Sequence, residues 1–203
     1  MEGVAEMTVL QYLHHIDQSL TLSINSMSSG FMDKVWMFFS EQVVWYPMYA
    51  VIVFFLFRKL GWKRGIVCTV ACALTVLACD QIGNVVKDAV ERLRPCWDMN
   101  MVDGGLRILE DKGGKYGFYS AHAANSLGFA VCSIVCFKNK SSLNVKAYSI
   151  GICIWAVLVG MSRVFVGKHF LGDVCAGFIA GAVFGYVIAK IASVFCKRLG
   201  LND

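Results

Sequence analysis

Apolar residues in this chain come in long blocks, and few of them follow the one-sided spacing of an amphipathic helix. A block of about 20 residues is long enough to cross roughly 30 Å of hydrocarbon as an α-helix. The pattern therefore predicts an all-α, polytopic membrane helix bundle and excludes a soluble core. Five spans are predicted, at residues 43–60, 65–86, 123–137, 147–166 and 174–195.

The first 42 residues mix polar and apolar positions, and no window among them is long and charge-free enough to span. We interpret them as two short amphipathic helices at the outer membrane interface, broken around Ser28, Ser29 and Gly30. A re-entrant or tilted sixth span is the alternative, so we expect five to six transmembrane helices. Residues 1–203 are expected to form one domain, with the membrane core at 43–198.

The net charge of +5 is concentrated in two loops and the C-terminal tail, where acidic residues are almost absent. By the positive-inside rule these segments lie on the cytoplasmic side, and the other loops face outward. This distribution indicates membrane orientation, and no nucleic-acid partner is expected. The basic residues concerned are Arg58, Lys59, Lys63, Arg64, Lys138, Lys140, Lys146, Lys197 and Arg198.

Of the nine cysteines, eight lie within the predicted spans or directly beside one, where a thiol behaves as a small apolar group. Cys96 is alone in a polar loop. We therefore predict no disulfide, no metal site and no cofactor.

A polar stripe extends the second span beyond its apolar block. Its members fall within an arc of roughly 80° on an α-helix, and the helix is expected to continue until Pro95 interrupts it. A polar stripe that enters the bilayer favours a site facing the bundle interior over a solvated tip. The stripe consists of Asp80, Asn84, Lys87, Glu91 and Arg94.

Two further polar clusters lie at the ends of spans. Residues 162–173 contain Arg163, His169 and Asp173, and a carboxylate four residues after a histidine can fix its tautomer and free the other ring nitrogen. A structural salt-bridge cluster at a helix junction is the alternative. Ser120 is a plausible N-cap for the third span, and His122 follows it. If the chain crosses at every span, these clusters and Arg94 meet on one face of the membrane.

Three motifs, Lys87-x6-Arg94-Pro95, Ser120-x-His122 and Ser162-Arg163-x5-His169-x3-Asp173, resemble the signatures of the type 2 phosphatidic acid phosphatase (PAP2) superfamily. This superfamily includes membrane lipid phosphatases and is related to vanadium haloperoxidases. One departure is Ala121, which stands where the family commonly has glycine. The retained serine and histidine leave the expected chemistry intact, and the difference concerns the geometry of the helix start.

The resemblance implies a catalytic role for His169 as the nucleophile that forms a phosphohistidine, with Asp173 orienting it. It implies that His122 protonates the leaving oxygen and then activates water. The phosphoryl group would be bound by Lys87, Arg94, Ser120 and Arg163 without a metal. Lys168 and Lys115 are treated only as candidate head-group contacts.

The expected partners are membrane lipids and a phosphorylated lipid substrate at the outer face of a bacterial cytoplasmic membrane. The short chain resembles family members that convert undecaprenyl diphosphate to undecaprenyl phosphate, which is the first substrate hypothesis. Phosphatidylglycerophosphate, phosphatidic acid and lipid A 1-phosphate are alternatives within the same chemistry. A non-catalytic lipid-binding or transport protein is the alternative from another class, although no internal repeat supports it.

Overall fold

The structure is a computed structural model, and it describes residues 8–27, 29–138 and 145–201. It confirms the prediction of an all-α helix bundle. Single 3₁₀ turns at Val43–Trp45 and Pro95–Trp97 precede the third and fifth helices. The α-helices are α1 (Val9–Ser26), α2 (Gly30–Ser40), α3 (Tyr46–Leu60), α4 (Trp62–Val90), α5 (Met99–Asp103), α6 (Ala121–Phe137), α7 (Val145–Phe165) and α8 (Leu171–Arg198).

Four helical segments of the described chain are long and apolar enough to cross a membrane: Val43–Leu60, Trp62–Val90, Val145–Phe165 and Leu171–Arg198. The remaining predicted span corresponds to α6, which is apolar but has only 17 residues. At 1.5 Å per residue α6 is about 26 Å long. It lies at the centre of the bundle and packs against α4, α7 and α8.

Glycines on α8 allow α6 and α8 to approach until their backbones touch. A methyl group at Gly177 would lie 2.5 Å from the Ser120 carbonyl oxygen, and one at Gly181 would overlap the Ala124 carbonyl. Such a contact is typical of small residues between membrane helices. The packing brings the N-terminal ends of α6 and α8 together.

The prediction that the second span continues to Arg94 is wrong. Helix α4 ends at Val90 because Glu91 adopts a left-handed conformation with φ of 51°. Arg94 precedes Pro95 and is extended, with φ of −72° and ψ of 154°, as the proline ring requires of its neighbour. Of the predicted stripe, three members remain on the helix: Asp80, Asn84 and Lys87.

The long segment between α4 and α6, residues 91–120, is called the roof loop and contains the short helix α5. The two ends of this segment pair with each other: the Gly117 N–H donates to the Arg92 carbonyl at 2.8 Å, and the Arg94 N–H donates to the Lys115 carbonyl at 3.0 Å. Cys96, predicted to lie in a polar loop, is fully buried. Its Sγ lies 3.7 Å from the Lys112 carbonyl oxygen, so the loop folds back over it.

The predicted break in the N-terminal segment is confirmed, since α1 ends at Ser26 and α2 begins at Gly30; Ser28 lies outside the described residues. The two helices pack against α7, and α1 also contacts α8. Asn25 joins α1 to the end of α7 by donating to the Val164 and Phe165 carbonyls at 3.1 and 2.9 Å. Their position at a membrane interface stays a prediction, which agrees with the exposure of Val9, Leu10, Leu13, Phe31 and Phe38.

Candidate active site

The turn between α7 and α8 presents a histidine to a buried carboxylate. Gly167 turns the chain with φ of +78°, and a methyl group there would lie 2.5 Å from the Arg107 carbonyl oxygen, so glycine is required. The next two backbone N–H groups return to the Arg163 carbonyl at 2.9 and 3.1 Å. His169 Nδ1 then faces Asp173 Oδ2 at 3.4 Å.

Burial dominates the electrostatics of His169, whose side chain is only 3% exposed. Desolvation lowers the pKa of His169 to about 4, although Asp173 opposes this shift by favouring the charged ring. The imidazole is therefore neutral at physiological pH. With Nδ1 directed at a carboxylate, Nε2 is the nitrogen whose lone pair is available for chemistry.

The Asp173 carboxylate is fully buried and held on both oxygens. Oδ1 accepts from Arg92 Nη1 at 2.7 Å, and Oδ2 accepts from the Phe170 N–H at 3.1 Å. Its backbone carbonyl accepts the Ser120 N–H at 3.0 Å. These contacts fix the start of α8 against the start of α6.

The side chains of Arg94 and Lys168 meet at Gly113 of the roof loop, close to the His169–Asp173 pair. A methyl group placed on Gly113 would lie 3.3 Å from Arg94 Nη1 and 3.2 Å from Lys168 Nζ. Arg94 Nε donates to the Tyr116 carbonyl at 3.1 Å, and Lys168 Nζ donates to the Asp111 carbonyl. Burial lowers the pKa values of both side chains, and their mutual repulsion adds to the effect on Lys168.

Gly117 shows how closely the motifs approach each other. A methyl group at this position would lie 3.0 Å from Arg94 Cγ, 3.1 Å from Asp173 Oδ2 and 3.4 Å from His169 Nδ1. The glycine thus leaves space where side chains from the first and third motifs meet. A larger residue would occupy that space.

Arg163, near the end of α7, joins the site to the end of α2 and to the roof loop. Its Nη1 donates to Ser40 Oγ and lies 3.2 Å from Glu110 Oε2. The guanidinium is 6% exposed, and its Nε is buried without a hydrogen-bond partner among the described residues. A buried donor of this kind is costly unless a ligand satisfies it.

The second motif begins α6. Ser120 is fully buried and caps the helix, with Oγ 3.5 Å from the Ala123 nitrogen. The His122 ring lies 3.3 Å, through Nε2, from the Gln42 side-chain nitrogen. The guanidinium charges of Arg163 and Arg94 act on His122 electrostatically, so the three motifs share one site.

Lys87 lies at the margin of this cluster. It is on the last turn of α4, half-buried, and its Nζ donates to Asn84 Oδ1 at 3.4 Å. The structure thus gathers His169, Asp173, Arg94, Arg163, Ser120 and His122, and Lys87 is near enough to Arg94 for the two cations to repel each other. No group of three or more His, Cys, Asp or Glu side chains among the described residues is arranged to hold a metal ion; the absence of a metal stays a prediction.

Sequence reasoning missed two contributors to the site. Arg92 lies in the sequence between Lys87 and Arg94 of the first motif and contacts Asp173 directly. The predicted polar stripe on a continuous helix did not include it. Asp17 on α1 contacts Arg92 at 2.6 Å. The basic side chain beside the motif was a visible signal for Arg92, but α1 carries no pattern that points to Asp17.

Comparison with known proteins shows the family to which the chain belongs. The PAP2 superfamily model matches residues 68–195. A lipid A 4'-phosphatase of Bacteroides thetaiotaomicron is 35% identical over 193 residues, which cover 94% of this chain and 83% of the relative. An undecaprenyl-diphosphatase of Sulfolobus acidocaldarius is 30% identical over 155 residues, which cover 76% of this chain and 66% of the relative.

A solved structure shares the fold. The transmembrane PAP2-type phosphatidylglycerolphosphate phosphatase of Bacillus subtilis superimposes with a TM-score of 0.73, at 20% identity, over 90% of this chain and 87% of that chain. Fold and family together define an integral membrane phosphoric ester hydrolase. The chain belongs to the PAP2 superfamily, and its resemblance to that family is confirmed.

Proposed function

We propose that the protein hydrolyses a lipid phosphate through a phosphohistidine at His169. The observation that carries the proposal is the buried His169–Asp173 pair at 3.4 Å, with Arg94 and Lys168 converging beside it. A carboxylate that orients one ring nitrogen leaves the other as a nucleophile. A set of buried and half-buried cations around it suits a phosphoryl group, whose charge spreads over three oxygens in the transition state.

In the first step His169 Nε2 attacks phosphorus, and the bond from phosphorus to the lipid oxygen breaks. His122 donates its proton to that oxygen, so the lipid leaves as a neutral alcohol or, from a diphosphate, as the monophosphate. In the second step His122 takes a proton from water, and the resulting hydroxide attacks the phosphohistidine. Inorganic phosphate leaves, and His169 returns to its neutral form.

The phosphoryl oxygens are bound by the cations and the capped helix start during both steps. Arg94, Arg163 and Lys87 supply charge, and Ser120 supplies a hydroxyl at the N-terminus of α6. The unpartnered Nε of Arg163 is a donor that a phosphoryl oxygen would satisfy. These roles favour an enzyme over a binding or transport protein, because a binding path needs the cations but not a paired nucleophile, His169, and acid, His122.

The proposed site faces the periplasm or the cell exterior of a bacterial cytoplasmic membrane. The site lies at the end of α4 and the start of α8, whereas basic residues lie at the opposite ends. The end of α3 has Arg58 and Lys59, and the end of α8 has Lys197 and Arg198. By the positive-inside rule those ends are cytoplasmic.

The substrate we propose is lipid A phosphorylated at the 4' position. The support is similarity to the Bacteroides lipid A 4'-phosphatase, which extends over nearly the whole chain. Undecaprenyl diphosphate, the first hypothesis from the sequence, is the second candidate and is supported by the shorter similarity to the Sulfolobus relative. Phosphatidylglycerophosphate, phosphatidic acid and lipid A 1-phosphate stay predictions of the same chemistry.

The test is phosphate release by detergent-purified protein from bis-phosphorylated lipid A, undecaprenyl diphosphate, phosphatidylglycerophosphate and phosphatidic acid, with EDTA present. Mass spectrometry of the lipid A product shows whether the 1- or the 4'-phosphate was removed. We expect the 4'-phosphate to be lost most rapidly and His169→Ala to be inactive. Equal activity of wild type and His169→Ala would overturn the mechanism, and preference for another lipid would overturn the substrate.

A further inference from the structure

Arg92 connects the catalytic carboxylate to the N-terminal helix α1. Its Nη1 donates to Asp173 Oδ1 at 2.7 Å, and its Nη2 donates to Asp17 Oδ2 at 2.6 Å. The guanidinium also lies over the Phe170 ring, 4.2 Å from the centroid. Two carboxylates and an aromatic ring fix the orientation of this planar guanidinium, whereas an arginine exposed on the surface can adopt many orientations.

Helix α1 holds the start of α8 at two other points. Asp17 Oδ1 accepts the Gly172 N–H at 2.8 Å, and Thr21 Oγ1 accepts the Leu171 N–H at 3.0 Å. Free N–H groups at the start of a helix need such partners. The same helix α1 therefore fixes the backbone that carries Asp173 and, through Arg92, the rotation of its carboxylate.

We propose that Arg92 is a positioning residue for catalysis, and that Asp17 of α1 holds it in place. Arg92 binds Oδ1 of Asp173 so that Oδ2 is directed at His169 Nδ1. This sets the tautomer and the angle of the imidazole, and hence the aim of Nε2 at phosphorus. The inference rests on the proposed function and assigns part of the active-site geometry to the N-terminal segment.

The rate of phosphoryl transfer depends on this aim, whereas substrate binding does not. The side chain of Arg92 contacts Asp173, Asp17 and Phe170, and its Nη2 lies 3.3 Å from His14 Nδ1 on α1. The residues proposed to bind the phosphoryl group are different ones. A misplaced nucleophile lowers kcat steeply, because an error of about 1 Å costs as much as ~100-fold.

Arg92→Met and Arg92→Lys separate positioning from packing. Methionine keeps the apolar contact with Phe170 and removes both ion pairs, so we expect kcat to fall by ~10- to 100-fold with KM changed less than about twofold. Lysine restores a cation that reaches one carboxylate at a time, so it should recover part of kcat. Asp17→Asn keeps an acceptor for the Gly172 N–H and weakens only the pair with Arg92, so a loss of ~3- to 10-fold in kcat is expected.

Arg107→Met is the matched control. Arg107, in the roof loop, forms an equivalent pair with Asp33 of α2 at 2.5 Å and is not paired with Asp173. We expect it to lower the thermal midpoint with kcat within about twofold of wild type. Thermal midpoints of all four variants show whether any loss of kcat follows loss of folded protein.

The proposal is overturned if Arg92→Met retains wild-type kcat, if its loss appears in KM instead, or if Arg92→Lys recovers nothing while remaining folded. It is also overturned if Arg107→Met loses as much kcat as Arg92→Met. His169→Ala, measured alongside, keeps the two proposals apart. An inactive His169→Ala together with a fully active Arg92→Met leaves the phosphohistidine mechanism standing and removes only the role of Arg92.

Discussion

The first turn of α8 and its middle bury entirely different groups against the same neighbour, α6. The first turn contains Asp173, a fully buried charge that is held by an arginine and a backbone N–H and lies 3.4 Å from a histidine nitrogen. The middle contains Gly181 and Gly185, whose hydrogens face the backbone of α6. Packing of the first turn against α6 requires that a buried charge is paired. Packing of the middle requires that the residues facing α6 have no side chain.

The difference shows how a membrane helix pair combines stability with chemistry. Close glycine packing lets backbone touch backbone and sets the separation of the two helices without polar groups. That separation determines whether the Ser120 N–H reaches the Asp173 carbonyl, which it does at 3.0 Å. The apolar middle therefore defines the geometry in which the polar end operates, and substitutions in the two regions should affect different measurements.

The polar end of the helix pair comprises the first turns of α6 and α8. His122→Ala at this end is expected to give the largest difference between an effect on catalysis and an effect on stability. Loss of the proposed general acid and base should lower kcat by ~100- to 10,000-fold, while the glycine contacts and the thermal midpoint change little. Steady-state phosphate release and thermal unfolding in detergent measure the two effects. His15→Ala, an exposed histidine on α1, is the control, and a wild-type rate in His122→Ala would remove this residue from the mechanism.

Gly181→Ala tests the apolar middle of α8, where we expect a larger effect on stability than on catalysis. The added methyl group would overlap the Ala124 carbonyl, so the helices must separate, at a cost of about 1–3 kcal/mol. We expect a thermal midpoint lower by several degrees and a smaller loss of kcat caused by the shifted helix start.

Gly151→Ala in the middle of α7 is the same substitution where a methyl group meets no described heavy atom within 4 Å. It should stabilise the helix by up to about 1 kcal/mol. If both variants melt alike, backbone contact between α6 and α8 does not determine the stability of the bundle.

The sequence was sufficient to predict the helix bundle, the three motifs and their meeting at one end, because apolar blocks and motif spacing are local properties. The end of α4 was not predictable from periodicity, since a single left-handed residue at Glu91 overrides the polar stripe. The contacts of Asp17 with Arg92 and with the Gly172 N–H join residues 75 and 155 positions apart. No local pattern encodes such pairs, and they appear only once α1 is packed against α8.

The weakest expected effect, a dependence of stability on pH, follows from burial of a neutral imidazole at the polar end. The folded-state pKa of His169 is lowered to about 4, below its ordinary value, so the unfolded chain binds more protons than the folded one between roughly pH 6.5 and 4. Stability should therefore fall as the pH falls through this range.

Lowering the pH from 7 to 5.5 should cost about 1 kcal/mol in the free energy of unfolding. His169→Gln removes this titration, and the range stays above that of ordinary carboxylates. Thermal midpoints of both proteins at the two pH values give the comparison. A wild-type decrease that is no larger than that of His169→Gln would mean that His169 is not buried in its neutral form, and the polar end would then hold charge on both members of its His169–Asp173 pair.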